Sequence, residues 1–333
     1  MLGNEYAIIR RMLKRLTSRF GVPRVPEAKD RNIVLTGPGR SGTTLTCFLL
    51  NKLPDTVALS EPIAPGRYAN RMPDYERVAD GIEEYYRDMR KMALRQGLVI
   101  SKHVGGMVPD NSKGMKDGVR QRIVDKGQIP VGKDLQRDFY LAIKQPGMFT
   151  ALLPTLVKRF PCFAIIRNPL AIMLSTSTLQ QPGTKRRKGR PAKTGLQQFN
   201  NKRRRSRSAK ITYDPQLGER LGESRQEGAD KIDQRLMRLH YTFERYQESL
   251  PGSHIIRYED ICSSHGKALE VIVPAAGGLD EPLENKNLNP LYPRDKVIRF
   301  GEKLLESEGA YWNFYSREDV EEIINGLKDS SQQ

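Results

Sequence analysis

The residues Gly37-Pro-Gly-Arg-Ser-Gly-Thr-Thr44 have the composition of an anion cradle. The apolar run Ile33 to Thr36 before them reads as a strand, and Leu45 to Leu53 after them as a helix. Gly37, Gly39 and Gly42 let the backbone turn so that successive N–H groups converge on an anion such as a phosphate. The new helix adds its positive N-terminal end, and Ser41, Thr43 and Thr44 supply hydroxyl donors. Arg40 places a cation inside the loop.

A second set of residues suits a second anion. The strand-like run Cys162 to Ile166 ends in Arg167-Asn-Pro-Leu-Ala-Ile-Met-Leu-Ser175. Pro169 fits the first turn of a helix, where a missing N–H costs nothing. Arg167 then closes a strand and Ser175 lies about two turns into the next helix. Both can face one ligand beyond the carboxyl ends of an open α/β sheet, and an arginine fork with a hydroxyl suits a phosphate there. Glu61, in Leu59-Ser-Glu-Pro62, is a carboxylate at the end of another strand. Lys144 ends the run Phe139 to Ile143, either as a charge in the same crevice or as a strand cap.

Gly37 and Gly42 have the separation of the G-x-x-x-x-G-K-[ST] phosphate loop, but Thr43 stands where the lysine belongs, which argues against an ordinary ATPase or kinase. The string Arg40-Ser-Gly-Thr-Thr44 resembles instead the 5′-phosphosulfate loop of the sulfotransferase superfamily. Arg167-x-Pro169 with Ser175 resembles that family's 3′-phosphate motif, with Asn168 in place of the usual Asp. Arg257-Tyr-Glu-Asp260 is similar to its Tyr-Glu-Asp turn, a largely structural element. Arg299-Phe-Gly301, followed by Gly309-Ala-Tyr-Trp-Asn313, resembles its C-terminal Arg-Lys-Gly stretch, with Phe300 in place of lysine. The resemblance spans roughly residues 31 to 316.

It implies a three-layer α/β/α sandwich with a mainly parallel sheet, the P-loop-like sulfotransferase fold. It also implies an enzyme that moves a sulfuryl group from 3′-phosphoadenosine 5′-phosphosulfate (PAPS) to a hydroxyl or amine, leaving 3′-phosphoadenosine 5′-phosphate (PAP), with no metal. The residues carried over are Gly39, Arg40, Ser41, Gly42, Thr43 and Thr44 for the 5′ end of the nucleotide, and Arg167, Ser175, Arg299 and Gly301 for the 3′-phosphate. Aryl and steroid members place a histidine base two positions after a strand-end lysine, where this chain has Pro146. Tyrosylprotein and carbohydrate members use a glutamate shortly after the first loop helix, which Glu61 matches, and Lys144 matches a lysine of the tyrosylprotein enzymes. Catalysis is therefore assigned to Glu61, Arg40 and Lys144. The alternatives are a nucleotide or sugar kinase with a degenerate loop, and a non-catalytic protein that binds anions or nucleic acid.

These residues need one sheet to hold them together. The length of 333 residues allows two domains, but the two anion motifs bracket a single sheet, so 29–328 reads as one domain. Helices are expected from Tyr75 to Gly97, Met148 to Phe160, Ile232 to Ser249 and Ser316 to Leu327, with a strand from His254 to Arg257. Loops around the first of these helices, between Asp55 and Lys133, are expected to form the acceptor pocket. Residues 1–28 read as a basic arm in which Ile8, Ile9, Met12, Leu13, Leu16 and Phe20 share one helical face. That face suits an anionic membrane surface, giving peripheral contact through residues 1–20, or docking onto the protein's own sheet.

Cys47, Cys162 and Cys262 sit in apolar or strand-end contexts and do not form a disulfide framework. The four histidines lack ligand spacing. With no long apolar run, the expectation is a soluble, cytoplasmic protein. The net charge of +17 is concentrated: Lys185 to Lys210 holds twelve Lys or Arg, and no acidic residue lies between Phe139 and Tyr213. The stretch 182–212 reads as a flexible loop, either a solvated insertion or a clamp for an anionic acceptor such as an acidic glycan, an acidic peptide or a lipid head group. Nucleic acid is not an expected partner. Attraction between exposed charges falls as the screening length shortens from about 10 Å at 0.1 M salt to about 3 Å at 1 M. Deleting Lys185 to Lys210 is therefore expected to raise the acceptor KM and flatten its salt dependence while sparing nucleotide affinity. Acceptor kinetics untouched by the deletion would leave the stretch a solvated insertion.

Overall fold

Five short strands, rich in apolar residues and parallel throughout, form the central sheet of this computed structural model: β1 (Asn32–Thr36), β2 (Thr56–Ser60), β7 (Tyr140–Lys144), β8 (Cys162–Ile166) and β9 (Ile255–Arg257). Their order is β2-β7-β1-β8-β9. The structure describes residues 29–64, 66–116, 119–179 and 213–329, so the basic arm and the basic stretch 182–212 lie outside the described residues. Every residue of β1, β2 and β8 is buried. Such strands need cover on both faces, the usual condition of a parallel sheet.

The connections supply that cover. The chain leaves β1 through α1 (Thr43–Leu50) toward the β2 edge. It returns in the other direction through α2 (Tyr75–Gln96) to β7, through α3 (Pro146–Leu156) to β8, and through α4 (Pro169–Ser177), α5 (Pro215–Gln226) and α6 (Asp233–Ser249) to β9. Right-handed crossovers that run in opposite directions lay their helices on opposite faces. The result is an α/β fold on a five-stranded parallel sheet, compatible with a three-layer α/β/α sandwich. The expected helices are present with shifted ends. The third begins at Pro146, because proline fits the first helical turn, and the 75–96 helix stops where Gly97 adopts φ 64°.

One expectation changes. The stretch read as loops after α2 contains two antiparallel ribbons, β3 (Leu98–His103) paired with β6 (Asp125–Pro130), and β4 (Lys113–Lys116) paired with β5 (Val119–Arg122). The Ser60 N–H donates to Ser101 Oγ (2.9 Å), tying β3 to the end of β2.

After β9 the chain turns into α7 (Tyr258–Ser263), and it closes with α8 (Arg294–Leu305) and α9 (Arg317–Asp329). Glu259 clasps these parts. It accepts from the Asn168 N–H (3.0 Å), Asn287 Nδ2 (2.8 Å) and the Tyr315 hydroxyl (2.9 Å). Asn168 in turn caps α4 by accepting from the Leu170 N–H (3.0 Å), a task that asparagine performs as well as aspartate. Hydrogen bonds to a charged acceptor contribute roughly 1.5–3 kcal/mol each, with strong overlap within one cluster. Glu259→Ala is expected to lower the unfolding free energy by about 2–4 kcal/mol, measured by urea denaturation, and Tyr315→Phe by less. A variant as stable as the parent would show that the clasp carries no weight.

Candidate functional site

All five strands end at one edge of the sheet, and there a cleft of about 580 Å³ opens, lined by Gly39, Arg40, Glu61, Lys144, Arg167 and Ser175 among others. Backbone pairing sets the positions. Lys144 lies opposite Leu35 on one side and Ser60 on the other. The Glu61 N–H continues the ladder by donating to the Lys144 carbonyl (2.7 Å).

The loop between β1 and α1 is held from behind. Gly37, at φ 151°, passes so close to β8 that a Cβ there would stand 2.2 Å from the Ile165 carbonyl oxygen. Gly42, at φ 87°, would meet the Tyr258 ring at 2.5 Å. Ser41 differs from its expected role. Its buried hydroxyl bonds the carbonyls of Pro38 (2.8 Å) and Ile165 (2.6 Å), so it braces the loop against β8 and does not face the cleft. Thr43 and Thr44 do line the cleft. No side chain caps α1 and no acidic residue sits in its first turn, so its terminal N–H groups remain for an anion.

Glu61 adopts φ 47°, a left-handed conformation that is strained for glutamate and aims its side chain along the strand ends. Its Oε1 accepts from Lys144 Nζ (2.8 Å) and its Oε2 from Lys102 Nζ of β3. Lys144, almost wholly buried, also reaches Thr44 Oγ1 (3.2 Å), so one ammonium bridges the carboxylate and the loop. Burial alone pushes the Glu61 carboxyl up, but the Lys144 and Lys102 charges outweigh it and hold the group at about 2.

Arg40, at φ 78°, points elsewhere than expected. Its Nε donates to Ser175 Oγ (3.1 Å) and its terminal nitrogens approach Asn111 Oδ1 (3.4 Å and 3.5 Å), so its guanidinium joins the second anion set rather than the loop mouth. Lys144 is the cation beside the loop. Arg167 stacks on the Tyr258 ring (4.5 Å), donates to Asn287 Oδ1 (2.7 Å) and the Arg40 carbonyl (3.2 Å), and keeps Nη2 buried without a partner. Burial, with repulsion from Arg120 and Arg167, lowers the Arg40 guanidinium to about 10.

Two expected residues lie outside the cleft. Arg299 is on α8 with its side chain 69% exposed, paired to Asp230 (3.4 Å). Gly301 packs that helix on α9, where a Cβ would come within 2.4 Å of Ile324 Cδ1. On this amphipathic helix Gly301 serves packing and Arg299 faces solvent. Conversely, Lys102, Lys113 and Arg120 reach the cleft or its carboxylate from the ribbons, and Asn111 from the segment between β3 and β4; these were not anticipated. A usable signal existed in the sequence: the dipeptide Asp-Gly between Lys113-Gly-Met-Lys and Val-Arg-Gln-Arg122 has the composition that favours a two-residue hairpin connection. The described residues contain no group of His, Cys, Asp and Glu arranged to hold a metal ion, and no helix among them is long and apolar enough to cross a membrane.

No protein-family model, curated protein or solved structure matches this chain.

A carboxyl held below its ordinary value of 4.5 stabilises the fold fully above that pH, and the contribution is lost as pH falls through about 2. Comparing the parent with Glu61→Gln by urea unfolding, the parent is expected to be more stable at neutral pH. The difference should shrink by up to about 3 kcal/mol between pH 5 and pH 2. A constant difference would show that the two lysines do not hold the carboxylate.

Proposed function

We propose that the protein is a sulfotransferase that uses PAPS as donor and transfers its sulfuryl group to a hydroxyl or amine of an acceptor. The observation that carries this reading is the pairing, in one cleft, of two anion sites with a carboxylate beside one of them. The uncapped start of α1 with Thr43, Thr44 and Lys144 forms the first site. Arg167, Ser175 and Arg40 form the second. A nucleotide that carries anions at both its 5′ and 3′ ends has the right chemistry to span them, and Pro282, Leu283 and Tyr292 in the cleft wall offer apolar surface for its nucleoside.

The donor supplies an already activated SO₃ group, so the protein needs only to align the acceptor, accept its proton and stabilise charge on the departing phosphate oxygen. Lys144 and the first N–H groups of α1 are placed to meet that charge. Arg167, Ser175 and Arg40 grip the far end of the nucleotide and fix its register. The acceptor O–S or N–S bond forms as the phosphate O–S bond breaks, and the acceptor's proton passes to Glu61. Lys144 gives this step its timing. An anion on the loop draws the ammonium away from Oε1, and the weaker that ion pair becomes, the more basic Glu61 is. Glu61 is ionised throughout the neutral range, so with PAPS saturating, kcat/KM for a hydroxyl acceptor should stay flat on the acid side to about pH 4.

A nucleotide or sugar kinase is the second reading, and one contact favours it: Lys144, beside Thr44, supplies from another strand the lysine that the loop lacks. Nucleotide binding separates the two. PAP at 100-fold over its Kd should stabilise the fold by about 2.7 kcal/mol, and ATP, without a 3′-phosphate, by much less. Equal thermal shifts would favour the kinase. Glu61→Gln is expected to retain PAP binding and to lower sulfuryl transfer, followed by mass spectrometry of the acceptor, by roughly 10²–10⁴-fold. Normal turnover in this variant would remove Glu61 from the mechanism.

A further inference from the structure

The hairpin of β4 and β5 brings a third guanidinium to the second anion set. Arg120 Nη1 donates to Thr178 Oγ1 (2.9 Å), and Thr178 Oγ1 donates to the Ser175 carbonyl (3.0 Å), so Arg120 is moored to the same helical turn that presents the Ser175 hydroxyl. Arg120, Arg40 and Arg167 lie close enough to repel one another. Among the described residues, none of the three is in an ion pair with a carboxylate, their partners being hydroxyl, amide and carbonyl oxygens. Arg167 is 5% exposed, and its Nη2 is buried with no acceptor.

The hairpin itself carries the same imbalance. Its register sets Lys113 opposite Arg122 and Met115 opposite Arg120, which puts three cations on one face with two directly facing. Like charges so placed destabilise a hairpin. Lys113 and Arg120 both line the cleft. Leaving buried or half-buried cations uncompensated is unfavourable, and an anion of high charge density would relieve the whole cluster at once.

We propose that Arg120 is a binding and specificity-determining residue for a terminal phosphate monoester, and that with Arg40, Arg167 and Ser175 it forms a subsite for the dianion. In the donor reading above, on which this inference rests, that group is the 3′-phosphate, and the hairpin arginine takes the place expected of Arg299. Three guanidiniums match a doubly charged monoester better than a singly charged diester. A monoester gains its second charge near pH 6.

The test is calorimetric titration of PAP and of AMP into the parent, Arg120→Ala and Thr178→Ala. Losing one charge-assisted contact is expected to weaken PAP roughly tenfold to hundredfold in Arg120→Ala, with AMP changed by less than about twofold, since AMP lacks the second phosphate. PAP affinity of the parent should rise between pH 5 and pH 7, and the rise should be smaller in Arg120→Ala. Thr178→Ala removes the resting partner of Arg120 and a bond to the Ser175 carbonyl but no group proposed to touch the phosphate, so PAP should bind it as tightly as the parent or more so. If Thr178→Ala copied the loss seen in Arg120→Ala, the arginine would be a structural strut and the proposal would fall. Unchanged PAP binding in Arg120→Ala, or an equal loss for PAP and AMP, would also overturn it. A parent that binds PAP no more tightly than AMP would refute the donor reading itself, and the subsite with it.

Discussion

Everything at the cleft depends on five strands running the same way. In a parallel sheet every carboxyl end lies on one edge, so the segments after β1, β2, β7, β8 and β9 open toward a common space. The position of β7 between β2 and β1 matters most. It sets Lys144 between Leu35 and Ser60, and its carbonyl receives the Glu61 N–H, so one backbone ladder fixes the distance between carboxylate, ammonium and loop. A register slip of one residue would turn Lys144 to the other face of the sheet.

The backbone is strained where that edge is most crowded. Arg40 and Glu61 are two of the four described non-glycine residues with positive φ. Such conformations cost on the order of 1–3 kcal/mol and persist only when the surroundings enforce them. Around Arg40 the enforcement is visible: Ser41 is bonded to β8, Gly37 is pressed on the Ile165 carbonyl, and Gly42 lies under Tyr258. Around Glu61 it comes from the ladder bond to Lys144 and from two ammonium partners.

The cleft treats its cations in two ways. Lys102 and Lys144 share a carboxylate, and that pairing keeps Glu61 ionised and the lysines in place without a ligand. Among the described residues, Arg40, Arg120 and Arg167 have only hydroxyl, amide and carbonyl acceptors. The first arrangement is self-contained and suits a residue that exchanges a proton. The second leaves its positive charge unbalanced among the described residues, which suits a handle for an anion. Under the proposed sulfuryl transfer these are the reacting and the positioning ends of one nucleotide.

Much of this was legible in the sequence because it is local. The turn from Gly37 to Thr44, the Pro169 helix start, the apolar runs of β1 and β8, and the strand-end positions of Glu61, Lys144 and Arg167 each follow from a few consecutive residues. Asn168, a departure from the motif it resembles, proved to be a helix cap. What the tertiary structure decided was direction and company. Ser41 looks like a ligand donor until β8 is packed behind it, and Arg40 looks like the loop's cation until its side chain is seen bonded to Ser175. Arg299 matched a motif, yet it sits on an exposed helix face, where the period of an amphipathic helix reproduces the same residue types. Lys102 and Arg120 carried no local signal of function, since a cation on a short ribbon reads as solvated. Only the crossing of those ribbons over the sheet edge, contacts between residues far apart in the chain, brings Lys102 41 residues back to Glu61 and Arg120 58 residues forward to Thr178.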